Sequence, residues 1–157
     1  MKPRALATLL VCLAVVALTA RADFARRVES EHFAIHYTSG NSRDAVSAEY
    51  ARLVQDGLES AYAFYVASGF DMYTGRIDVH ILRSEWGELG AEYDDGMPGE
   101  FSPVIEIATQ AVMEETLAES FVEVSVEGLV ASTCAHELFH VVHDHYANQG
   151  LADMAEV

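Results

Sequence analysis

The sequence predicts an α+β fold: a small twisted mixed sheet packed on a long helix and on a second helix that carries clustered histidines. Three observations lead there. His32 to Tyr37 and Ile77 to Leu82 alternate apolar and polar residues, the period of a half-buried strand. Val46, Tyr50, Leu53, Val54, Leu58, Ala61 and Tyr65 recur at helical spacing. Glu127 to Tyr146 is again helical, but two-sided, with one apolar and one polar face. The 157 residues amount to one domain with enough apolar content for a core.

Taken in order, residues 1–22 read as an export signal. Lys2 and Arg4 form a basic start, Ala5 to Leu18 an apolar run, and Ala20-Arg21-Ala22 an A-x-A cleavage site. The run is short for a membrane span, so stable membrane association is not expected, and the remaining domain, 23–157, should be secreted, extracellular or periplasmic. Cys12 leaves with the signal, and Cys134 then has no partner for an intramolecular disulfide. All 25 acidic residues follow residue 22, against six arginines and no lysine, a net charge of −19 with histidine neutral. So acidic a surface argues against nucleic acid and anionic membranes as partners.

Phe33, Ile35 and Tyr37 mark the first strand. Asn41 and Asp44 suggest a helix start, and Ser68-Gly69 a stop, which places the long helix near 42–67. Ile77, Val79 and Ile81 give a second strand. Residues 84–100, with four glycines, Pro98 and six acidic residues, read as a solvated surface loop whose spacing fits no calcium loop. Ser102 to Ala108 reads as a third strand, and the first half of 113–126 as helix. In the two-sided helix, Val130, Cys134, Leu138, Val141 and Val142 share the apolar face with Ala135 and Phe139. Ser132, Thr133, His136, Glu137, His140 and His143 share the other. Cys134 is therefore expected to be a buried packing thiol rather than a ligand or nucleophile.

The chemistry lies in His136-Glu137-Leu138-Phe139-His140. Residues four apart share a helix face, so an H-E-x-x-H helix brings two imidazoles to one ion with a carboxylate beside its open position. Neutral imidazole suits Zn2+, and the free carboxylate of Glu137 can take a proton from a metal-activated water. A hydrolytic zinc site needs a third protein ligand. His143 lies about 10 Å along the axis from His136, too far to share the ion with both, and Asp144 has a similar problem. Tyr146 stands where metzincins carry their third histidine, and His143 where they carry a glycine, so that geometry is not expected. Glu156 remains, if Asn148-Gln149-Gly150 ends the helix and a following turn of helix, 153–157, returns toward the ion.

His136-Glu137-Leu138-Phe139-His140 with a later glutamate resembles the gluzincin group of zinc metallopeptidases. Phe33-Ala-Ile-His-Tyr37, the long helix and Thr133-Cys-Ala-His-Glu-Leu-Phe-His-Val-Val142 resemble secreted bacterial metalloproteases of zincin type. Those proteins carry a glutamate followed by small residues after a short turn, where Met154-Ala155-Glu156-Val157 falls here; Val157 replaces an expected glycine. The resemblance implies a zincin-like subdomain, Zn2+ held by His136, His140 and Glu156, and Glu137 as the catalytic general base. It also implies a peptide or protein substrate laid along an edge strand, for which 102–108 is the candidate. By the same resemblance the domain is incomplete at its C-terminus. The rival expectations are a zinc-binding but non-catalytic binding or adhesion module, and an acidic exported domain without metal.

Overall fold

A computed structural model describes residues 24–155 other than 85, 86, 98, 99 and 122, with side chains through Gln149. The fold is α+β. In chain order it runs β1 (Arg26–Glu29), β2 (Phe33–Tyr37), α1 (Ala48–Ala67), β3 (Ile77–Leu82), β4 (Gly90–Asp94), β5 (Pro103–Ala108), α2 (Gln110–Glu119) and α3 (Val126–Ala155). The five strands form one sheet in the order β1-β2-β3-β5-β4. The three inner strands are parallel, and β1 and β4 are antiparallel edges. Helix α1 is the crossover that parallel pairing of β2 with β3 requires.

One sheet face makes the core. Phe33 and Ile35 of β2, Ile77, Val79 and Ile81 of β3, and Ile105 and Ile107 of β5 are buried with Val54 and Leu58 of α1 and Val130, Leu138 and Val141 of α3. The opposite face carries His36, His80 and Glu106 in register across the three parallel strands, with His36 Nε2 2.7 Å from Asp78 Oδ1. Parallel strands covered on both faces read as continuous apolar runs. Here one face stays polar, and that is why β2 and β3 alternate in the sequence.

Helices α1 and α3 are held in close register. A Cβ on Gly57 would meet Cys134 Sγ at 3.3 Å, so glycine lets the two backbones approach. Cys134 Sγ donates to the Val54 carbonyl at 3.7 Å, and Tyr65 hydroxyl donates to the Ala135 carbonyl at 2.8 Å. Burial pushes the Cys134 thiol up to about 12, in keeping with the packing role expected of it.

Several boundaries differ from expectation. Helix α1 starts at Ala48, capped by Ser47, whose side chain accepts the Tyr50 amide; Asp44 instead accepts the Arg83 amide at 2.9 Å. Gly69, at φ +88°, ends it as expected. The 84–100 stretch contains strand β4, and β1 precedes the strand expected to be first. Residues 103–108 form an inner strand, so they are not the exposed edge; β4 is. Finally, α3 does not stop at Asn148-Gln149-Gly150 but runs on to Ala155. Gln149 Nε2 donates to Asp71 Oδ2 at 2.9 Å and Tyr146 hydroxyl accepts the Asp71 amide at 2.8 Å, tertiary contacts that hold the helix through the expected stop. Among the described residues no helix is long and apolar enough to cross a membrane.

Candidate functional site

Helix α3 is set by its N-terminus and its buried stripe. Ser125 Oγ accepts the Gly128 amide at 3.2 Å, satisfying one free donor of the first turn. Val130, Cys134, Leu138 and Val141 then fix the rotation of the helix against the sheet. That rotation puts His136 and His140 toward solvent on successive turns, with their Nε2 atoms 3.1 Å apart and their rings nearly perpendicular at 83°. Two donors at 2.0–2.1 Å from one ion and 3.1 Å apart subtend about 100° there, near the tetrahedral angle zinc takes. The imidazole pair thus fits two ligands of one ion.

Glu137 lies elsewhere on the helix surface than the sequence suggested. Instead of sharing an open polar face with the histidines it is only 6 % exposed, enclosed between α3 and β4. The contact is close enough to need glycine opposite: a Cβ on Gly90 would lie 2.6 Å from Glu137 Cγ and Oε1. Burial raises the Glu137 carboxyl above its ordinary range, His136 and His140 pull it back down, and Glu88 pushes it further up. Beside it an open groove of about 370 Å³ runs between β4 and the first half of α3, lined among others by Glu88, Gly90, Ser132, Thr133, His136 and Glu137.

Glu92 was not singled out from the sequence. It follows Gly90 by two residues and so shares its face of β4. Its Oε1 is buried without a hydrogen-bond partner. Desolvation, with Asp144, Asp94 and Glu137 nearby, raises its carboxyl to about 7. The signal that could have found it is the two-residue alternation of Gly90, Glu92 and Asp94 within a stretch that looked like a loop.

His136, Glu137 and His140 are therefore brought together as expected. Glu156 lies outside the described residues, and the turn invoked to bring it back does not occur at 148–150. Among the described residues, no group of three or more His, Cys, Asp and Glu side chains is placed to hold a metal ion. His143 turns to Asp144, 3.0 Å away, and stays exposed. Phe139, expected in the core, is 45 % exposed and packs at the surface with Tyr65 and Phe70. Comparisons with protein-family models, curated proteins and solved structures find no match.

Proposed function

We propose that this chain is a zinc-dependent metallopeptidase of zincin type, acting on peptide or protein substrates after export directed by residues 1–22. The observation that carries the reading is the pair of imidazole Nε2 atoms 3.1 Å apart with a buried glutamate next to them, pinned against an open sheet edge. His136 and His140 would hold the ion, with Glu156 as third ligand on the strength of the gluzincin resemblance. Bound there, zinc supplies Lewis acidity, lowering the pKa of a bound water towards about 7 and polarising a carbonyl.

The chain's own groups do the rest. Glu137 takes a proton from the attacking water and hands it to the departing amine, a role for which a carboxyl raised toward neutrality is suited. Gly90 leaves room for that carboxyl and fixes where it stands. The outer edge of β4, rather than 102–108, would receive an extended peptide through main-chain hydrogen bonds. Glu137→Gln is expected to keep zinc and lose about 10²–10⁴-fold or more in hydrolysis of a denatured protein. Undiminished hydrolysis in that variant would sink the mechanism, whereas zinc binding without hydrolysis by the unaltered protein would favour a non-catalytic binding module.

A further inference from the structure

The surroundings of Glu92 are short of positive charge. Asp94 is on the same strand, Glu137 and Asp144 face it from α3, and Glu88 lies at the entry to β4. The arginines are engaged elsewhere: Arg26 with Ser39, Arg27 and Arg76 with Glu29, Arg83 with Glu115, and Arg52 near Glu49, while Arg43 lines a separate cleft with Arg83. A carboxylate oxygen buried without a donor is costly unless something supplies one. The cheapest donor is a cation, because a charge-assisted bond is about twice as strong as a neutral one.

Position indicates where such a cation would come from. Glu92 stands about 7 Å along β4 from Gly90, the residue against Glu137. That is the reach of a neighbouring residue in an extended peptide laid on the same edge. We infer that Glu92 is a specificity-determining residue that receives an ammonium or guanidinium group of the substrate, next to the bond presented to Glu137. This rests on the peptidase reading for the identity of the substrate. The cation can be a basic side chain or a free α-amino group, and the two share one chemistry.

The test is peptide binding, separated from turnover by using the zinc-supplemented Glu137→Gln protein. Four versions of one heptapeptide serve as probes: central arginine or its neutral isostere citrulline, each with a free or acetylated N-terminus. Calorimetry should find a cationic version at least about tenfold tighter than its neutral counterpart, and Glu92→Gln, with its fold verified by circular dichroism, should erase that ratio. A preference for arginine assigns the side chain, and one for the free terminus assigns the α-amino group. A ratio near one, a ratio unchanged in Glu92→Gln, or no binding of any peptide would overturn the inference. Hydrolysis by the unaltered protein without cation preference would leave the peptidase reading standing alone. Cation preference without hydrolysis would do the reverse.

Discussion

Two histidine–glutamate neighbourhoods in this protein use the same side chains to opposite ends. At the start of β2, His32 Nδ1 sits 2.7 Å from Glu59 Oε2, the His32 amide donates to Glu59 Oε1 at 3.1 Å, and the ring stacks on Tyr62 with centroids 3.7 Å apart. Burial there works against the Glu59 charge, but hydrogen bonds from Ser30 and His32 outweigh it and hold the carboxyl below its ordinary range. On α3 the two imidazoles face each other, Glu137 is held by packing against Gly90, and Glu92 keeps a buried oxygen without a partner. Both α3-side carboxyls are raised. The first neighbourhood is closed, every polar group answering another, and ties β2 to α1. The second is held open by the packing around it, which is what a site meant to receive something from outside requires.

If packing alone places Glu137, filling the space opposite should have the largest effect. Gly90→Ala puts a methyl 2.6 Å from Glu137 Cγ and Oε1, so the carboxyl must move while His136 and His140 stay. Hydrolysis should fall about 10²-fold with zinc content unchanged, a comparison that kinetics and metal analysis together make. Loss of zinc as well would mean that Gly90 supports the whole helix face.

A smaller effect, in stability, separates the two neighbourhoods by the sign of their pH dependence. Glu92 has a folded value near 7, above the ordinary 4.5, so between those values the folded protein keeps a proton that the unfolded chain has released. Its contribution therefore turns unfavourable as pH rises through that window. Glu92→Gln should unfold at higher denaturant than the unaltered protein at pH 8, by about 1–2 kcal/mol after allowance for solvent screening, and at the same denaturant at pH 4. Glu59, held low, runs the other way. Its stabilisation is present above the ordinary carboxylate range and disappears as pH falls through its lowered value. Glu59→Gln should cost only about 0.5–1 kcal/mol at pH 7 and less in acid.

The sequence was legible where a residue's pattern reflects its own burial. Phe33, Ile35, Tyr37 and Ile77, Val79, Ile81 alternate because one sheet face is wet, and Val130, Cys134, Leu138 and Val141 recur because one helix stripe is dry. Edge strands were harder. Arg26–Glu29 carries three charges and Gly90–Asp94 carries a glycine and two acids, so neither has strand propensity of its own, and each is made a strand by pairing with a neighbour. Pro103–Ala108 was misplaced at an edge although five of its six residues are buried, the near-continuous apolar run of an inner parallel strand. The site shows the same division. Spacing along one helix sufficed for His136 and His140, but the burial of Glu137 and the place of Glu92 depend on β4, an element the local sequence conceals. Gly150 misled because local propensity marks a stop there, while Gln149 and Tyr146 bind Asp71 across the fold and carry α3 past it.

The central claim, that the open neighbourhood on α3 is a metal centre, is tested most directly by zinc content. The protein would be dialysed against trace zinc at physiological salt beside its Glu137→Gln and His140→Ala variants, and the bound metal counted. One zinc per chain in the unaltered protein and in Glu137→Gln, with none in His140→Ala, is the predicted result. No bound zinc in any of them, or equal zinc in all three, would contradict it.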